Sequence, residues 1–386
     1  MLQRYDFWDK SVPKSGKNLG SKLKNDNFAL LRMVHVRINS EENHIKLQSM
    51  KKTFLFLFCV SVILACGPQR NQSPMKGIVL NTHDLSTVPD WPERAANNGI
   101  NTISTHMFPG EVLDFIRSEK GQTFMKRCQE LGIKVDHQLH AMGELLPRDL
   151  FSLDSTMYRM DERGHRVNDF NCCVHSIRAL DTIAAHAVRV SQELVPTNHR
   201  YYYWLDDGKP TCQCDQCKQY TISEQALIIE NHVVKALRRH DPQAMLAHLA
   251  YFNTLEAPRK VKPEEGVFLE FAPFLRSWEH PICDTLAQGR GMTHAQNLKY
   301  LKENLEVFPT ETAVILEYWL DVSLFSGWKK PAVELPWRKD VFLADVETYR
   351  SMGIRHFTSF AVYMDSVYWK TFPSQTPLRE YGEGLK

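Results

Sequence analysis

The sequence predicts an α/β protein, a (β/α)8 TIM barrel, over residues 74–386 of a 386-residue chain. Three observations carry that prediction. Eight short apolar stretches rich in β-branched and aromatic residues recur at 76–81, 101–105, 134–139, 201–205, 245–250, 267–271, 313–319 and 356–362. The spacers between them show apolar residues at helical intervals. Three of those helical patterns stop on a glycine followed by isoleucine and a new apolar stretch: Gly99-Ile100, Gly132-Ile133 and Gly353-Ile354. Glycine just past a helix end adopts the left-handed conformation at little cost, so this repeated stop marks αβ turns. Strand–helix alternation gives a doubly wound sheet or a closed barrel. Eight units fit the barrel, and the absence of Gly-x-Gly-x-x-Gly after the first stretch weighs against a nucleotide-binding sheet.

Taken in order, residues 1–49 are polar and without period, and read as a disordered or spurious extension. Met50-Lys51-Lys52, an apolar run over 54–65 and Cys66-Gly67 have the make-up of a secretory signal. The run is too short for a comfortable membrane span. Leu64-Ala65-Cys66 resembles the lipobox of bacterial lipoproteins. That resemblance implies cleavage before Cys66, lipidation of its thiol, a tether over 66–73, and a cell-envelope lipoprotein, periplasm-facing or on the outer-membrane surface, that meets the membrane only through its lipid. In the barrel region, Ser176 precedes Ile177, Leu180, Ile183, Ala187, Val190 and Leu194, an apolar stripe behind a good N-cap. Leu298, Leu301 and Leu305 repeat the spacing, as do Phe342, Val346 and Tyr349. No second domain is expected.

Hydrophobic residues make up 43% and charged residues 24%, an ordinary globular balance. A net charge of +2 gives no reason to invoke nucleic acid. Aromatics at 11% lean toward stacking on flat apolar faces such as sugar rings. Nothing in the chain calls for a cofactor. Apart from Cys59 in the signal and Cys66, the cysteines are Cys128, Cys172, Cys173, Cys212, Cys214, Cys217 and Cys283. Export favours disulfides. Cys212-x-Cys214-x-x-Cys217 equally supplies three ligands to a structural zinc, with Cys172 or Cys173 as the fourth. Disulfide, zinc and free thiols all stay open.

Active sites of such barrels lie at the C-terminal ends of the strands. Those ends carry His83, His106 and His140 after the first three stretches, and Asp206 and Asp207 after the fourth. Tyr251 follows the fifth and Glu270 lies near the end of the sixth. Glu317, Tyr318 and Asp321 belong to the seventh, Tyr363 and Asp365 to the eighth. Trp204, Trp278, Trp319, Trp328 and Trp369 fall in or beside the same loops. Glycosidic cleavage needs a proton donor at the leaving oxygen and a second carboxylate near the anomeric carbon. An acid of the fourth strand facing one of the seventh supplies such a pair, here Asp207 and Glu317, with Asp206 holding Asp207 or the sugar. Two adjacent aspartates also couple and raise the pKa of one of them. His83, His106, His140, Trp204, Tyr251, Glu270, Tyr318, Trp319 and Asp365 are the expected substrate contacts on an oligo- or polysaccharide.

The stretches His140-Ala-Met-Gly-Glu-Leu-Leu-Pro-Arg-Asp-Leu-Phe151 and Tyr158-Arg-Met-Asp-Glu-Arg-Gly-His-Arg166 are followed by Leu205-Asp-Asp207 and the three spaced cysteines. With the segment from Ser223 through His240-Asp-Pro242 to Leu249-Ala-Tyr251, they resemble the bacterial domain of unknown function numbered 4838. That family looks like a glycoside-hydrolase barrel, distantly similar to α-glucuronidases and β-N-acetylhexosaminidases, and has no settled activity to carry over. Its acid-then-cysteine motif falls on Asp207 and the three cysteines. Where the motif commonly has Asn, this chain has Asp206, which resembles the aspartate pair of acetamido-sugar hydrolases; Glu317 would then bind substrate instead of attacking it. Two further readings compete with an exported glycoside hydrolase. One is a non-catalytic glycan-binding barrel. The other is a metal-dependent hydrolase or isomerase using His83, His106 and His140, which lacks the His-x-His of such barrels at Asn81-Thr82-His83.

Overall fold

The structure, a computed structural model, describes residues 73–386. The N-terminal extension, the signal-like run and Cys66 lie outside the described residues. Eight strands close into a barrel in chain order: β1 Lys76–Asn81, β2 Thr102–Met107, β3 Lys134–His140, β4 Arg200–Trp204, β5 Met245–Tyr251, β6 Val267–Ala272, β7 Val314–Glu317 and β8 His356–Phe360. Every neighbouring pair is parallel, and Gly77 of β1 pairing with Thr358 of β8 closes the ring. The predicted fold class is therefore the observed one, and each expected strand is present to within a few residues.

The Gly-Ile stops have the expected physical basis. Gly99, Gly132 and Gly353 take φ of 72°, 70° and 92°. At each, the following isoleucine N–H bonds back five residues, to the carbonyls of Ala95, Cys128 and Tyr349 at 2.9, 2.8 and 3.2 Å. The glycine N–H bonds three residues back. Both bonds together make the Schellman closure, which satisfies the last helical carbonyls and turns the chain into β2, β3 and β8. Helix starts are capped by side chains: Ser118 on Gly121, Ser176 on Ala179, and capping boxes at Thr221/Glu224 and Thr293/Gln296.

Strand residues alternate between two cores. Val79, Tyr202, Trp204, Ala247, Phe268, Val314, Leu316 and Phe360 fill the lumen. Ile78, Tyr201, Tyr203, Leu246, Leu269, Ile315 and Phe357 face the surrounding helices. Both sets are buried, as expected of parallel strands covered on each face. Among the described residues, no helix is long and apolar enough to cross a membrane.

Candidate active site at the C-terminal mouth

Inward-facing residues at the strand ends build an aromatic floor. The His106 ring lies 5.1 Å from His140, 5.4 Å from Trp204 and 5.2 Å from Phe360. Tyr318 continues the surface toward Phe360, Phe274 and Trp278, at 5.2, 5.3 and 5.2 Å. Tyr251 packs on Phe274 at 5.6 Å, and Arg290 lies over Phe274 and Trp328. Burial holds His106 near a pKa of about 4 and His140 near about 3, the second aided by repulsion from the first. Both imidazoles are neutral at pH 7 and present hydrogen-bonding edges rather than charge.

The acids at the tip of β4 stand beside this floor. Burial pushes the Asp207 carboxyl up to about 6, against a hydrogen bond from Tyr251 and the pull of Lys209. Asp206 is placed differently. Its Oδ2 takes the Asn171 N–H at 2.6 Å and Arg148 Nη2 at 3.1 Å, while its own N–H donates to Asn171 Oδ1 at 3.2 Å. Asp206 therefore anchors the loop, while Asp207 takes its hydrogen bond from Tyr251.

Backbone strain gathers at the same end. Of the six described non-glycine residues with positive φ, five, Met107, Asn171, Phe252, Trp328 and Tyr363, lie at or beyond the C-terminal ends of strands, while the sixth, His199, precedes β4. Such conformations cost on the order of 1–3 kcal/mol each in non-glycine residues and concentrate where function over-determines the backbone.

Other expected site residues are placed differently. Glu317 does not meet Asp207 across the mouth. Its side chain points outward from β7, fully buried, and its Oε1 accepts from Arg276 at 2.7 Å and from Tyr349 at 2.6 Å. Arg276 is shared with Asp345, which also takes Trp319 Nε1 at 2.9 Å. Asp345 and Tyr349 belong to the helix Lys339–Ser351 outside the barrel. Burial outweighs the attraction of Arg276 and raises Glu317 to about 7. Trp319 is likewise core, packed on Phe342 and Tyr381. The physical reason is strand parity: Leu316 and Tyr318 face the lumen, so Glu317 and Trp319 face the helices.

Glu270 does face inward, but it is sealed beneath Trp204, whose Nε1 donates to Glu270 Oε2 at 2.8 Å. Burial raises its pKa well above the ordinary carboxylate value, against the hydrogen bond from Trp204. Asp365 caps the helix Ser366–Thr371 and pairs with Lys330 at 2.5 Å, with the exposed His83 at 3.6 Å. That places His83 on the rim, away from the His106–His140 pair.

Two carboxyls escaped the sequence reading. Asp84, one residue past His83, accepts the Asn81 and Tyr363 N–H groups and is raised to about 7 by burial. Glu144 sits at the start of the helix Pro109–Arg117, where it takes the Gly110 N–H; burial raises its pKa, and Asp206 adds to the effect. Its position one turn after His140 was the available signal.

The cysteines resolve into one group. Among the described residues no disulfide forms. Cys173, Cys212, Cys214 and Cys217 bring their sulfurs within 4.8 Å of one another, all buried. The fourth member of the cluster is thus Cys173 rather than Cys172.

The protein is thus a closed parallel (β/α)8 barrel whose mouth combines an aromatic floor with the Asp207 carboxyl, raised by burial to about 6. The match to the family model "Domain of unknown function (DUF4838)" covers residues 82–314, and the chain belongs to that family. No curated protein matches the chain. Among solved structures, it is similar to the tandem GH20 catalytic modules of a pneumococcal exo-β-D-N-acetylglucosaminidase. That likeness has 9% identity over 82% of this chain and 84% of that one, with a TM-score of 0.44. A β-galactosidase from the Antarctic haloarchaeon Halorubrum lacusprofundi is 11% identical over 73% of this chain and 52% of its own, with a TM-score of 0.43. A xylose isomerase-like TIM barrel/4-hydroxyphenylpyruvate dioxygenase fusion protein is 14% identical over 81% and 42%, with a TM-score of 0.40. The match therefore spans about half the length of the last two.

Proposed function

We propose that the chain is a glycoside hydrolase of the cell envelope, acting on an oligo- or polysaccharide, with Asp207 as the proton donor. The observation that carries this reading is Asp207 itself: a carboxyl held near pKa 6 by burial, beside an aromatic floor, hydrogen-bonded by Tyr251. A general acid works best with a pKa near the operating pH. Trp204, Tyr318, His106 and His140 supply apolar ring faces and neutral hydrogen-bonding edges, which suit the faces and hydroxyls of a sugar.

The attacking group is a separate question, since Glu317 is bonded behind β7. A substrate bearing a 2-acetamido group carries its own nucleophile. Asp207 would give its proton to the glycosidic oxygen as the C1–O bond breaks, while the acetamido oxygen closes on C1. The Asp207 carboxylate would then take a proton from the water that opens the ring. Both bonds to the Asp206 carboxylate fall on Oδ2; Oδ1 is the oxygen that can accept from the acetamido N–H. Glu144 is the alternative second acid for a substrate without that group.

A panel of chromogenic glycosides separates these readings. Hydrolysis of 2-acetamido-2-deoxyglycosides but not of the matching 2-hydroxy glycosides supports substrate assistance. Hydrolysis of 2-hydroxy glycosides that is lost in Glu144→Gln supports a carboxylate pair. Binding of glycans without turnover of any of them would sink the enzyme reading and leave a glycan-binding barrel.

Residues 50–66 carry the localisation reading. We propose export, cleavage before Cys66 and lipid attachment to its thiol, on the strength of the basic, apolar and Leu64-Ala65-Cys66 segments.

A further inference from the structure

Four cysteine sulfurs from two separate loops share one buried pocket. Three come from the β4 loop, Cys212, Cys214 and Cys217; Cys173 comes from the loop ahead of the helix Ile177–Glu193. Cys173 Sγ lies 3.7 Å from Cys217 Sγ and 3.9 Å from Cys214 Sγ. A disulfide needs about 2.05 Å, far shorter than these separations. A tetrahedral zinc with Zn–S bonds of about 2.3 Å sets its sulfurs about 3.8 Å apart. The two Cys173 spacings are those of a tetrahedron's edge, and all four sulfurs lie within 4.8 Å of one another.

The surroundings point to the same ligand class. Cys212 Sγ accepts the Met160 N–H at 3.3 Å and faces Arg166 Nη1 at 3.7 Å. The Cys214 N–H also lies against Cys212, and the His175 N–H against Cys173. His175 Nδ1 is 3.5 Å from Cys217 Sγ. Several N–H donors and a guanidinium aimed at sulfur suit thiolates, whose metal complex would carry a net charge of about −2. Gln225 fixes the loop independently, bonding the Cys212 N–H and the Cys212 and Cys217 carbonyls. Such sites are structural, because four protein ligands leave no open position for a substrate or water.

We propose that Cys173, Cys212, Cys214 and Cys217 bind one structural zinc ion that clamps the β4 loop to the segment ahead of the helix Ile177–Glu193. The clamp is independent of any catalytic reading. It joins the two strands of chain between which Asn171 and Asp206 exchange hydrogen bonds. Cys172, one residue away, is buried outside the four-sulfur group and takes no part.

The test is metal content of the full chain, purified without added metal and measured by inductively coupled plasma mass spectrometry. One zinc per chain is expected, released by a mercurial that titrates the thiols. Cys172→Ser should keep that zinc and Cys173→Ser should lose it, with a melting temperature lower by about 10 °C or more. Should Cys173→Ser not fold, cobalt substitution of the wild-type chain decides instead. Four thiolates give an intense sulfur-to-cobalt charge-transfer band and tetrahedral visible bands. Absence of that spectrum, no stoichiometric metal in the native chain, stoichiometric iron in its place, or disulfides among the four cysteines by mass spectrometry would each overturn the proposal.

Discussion

Asp206 and Asp207 are adjacent in sequence, yet their carboxyls do different work because one is bonded by Arg148 and the Asn171 N–H and the other by Tyr251. The Asp207 pKa of about 6, against an ordinary 3.8, fixes two signs. As a general acid it must be protonated, so kcat/KM should fall as pH rises through about 6. Stability follows linkage: the native carboxyl holds its proton where the unfolded one has lost it, so the cost of ionising it in place grows between about pH 4 and 6 and persists above. Asp207→Asn removes that cost. Discounted for partial exposure, it should raise stability by about 1 kcal/mol at pH 7.5, or roughly 2–4 °C in Tm. The same substitution should lower kcat by about 10²–10⁴-fold with sugar affinity nearly unchanged. Melting curves, initial rates and titration calorimetry on one variant read all three; a Tm gain without loss of turnover would remove Asp207 from the role.

At the scale of the element, β7 shows what patterning conveys and what it hides. Its presence was legible from a short apolar run, and so was each of the other seven strands. Which way its side chains point was not. In Val314-Ile-Leu-Glu317 every position is buried, because parallel strands are covered on both faces, so no polar alternation marks the inner one. Glu317 sat at the right end of the right strand and faced the wrong layer. The β4 acids were better placed because they lie past the strand, where the chain has turned into the mouth. Cys172 and Cys173 are a similar case: loop spacing allows either as a zinc ligand, and only the folded loop selects one. The buried position of Glu317 carries its own prediction. Glu317→Ala leaves Arg276 and the Tyr349 hydroxyl short of a partner in a water-free layer, and should destabilise the fold by about 3–5 kcal/mol in chemical denaturation. Turnover per folded molecule should stay within a few-fold. A large loss of kcat in a variant of wild-type stability would return Glu317 to the chemistry.

At the scale of the whole molecule, the barrel's ring closure gathers acids and aromatics from strands far apart in the chain, and that gathering followed from eight alternating units. Residues before the barrel follow different physics. The apolar run 54–65 is shorter than the roughly 20 residues a spanning helix needs, so on its own it makes a poor permanent anchor. The proposed lipid on Cys66 would change that balance, since each buried methylene contributes about 0.8 kcal/mol and more than one acyl chain holds a protein stably at the surface. The full chain expressed in a bacterial host with lipoprotein processing should fractionate with membranes, incorporate labelled fatty acid, and show a mature mass that begins at Cys66. Cys66→Ser should abolish labelling and move the protein to the soluble envelope fraction, with the melting temperature of the barrel unchanged. A mature protein that retains residues 50–65 would contradict the proposed processing, and labelling that survives Cys66→Ser would place the lipid elsewhere.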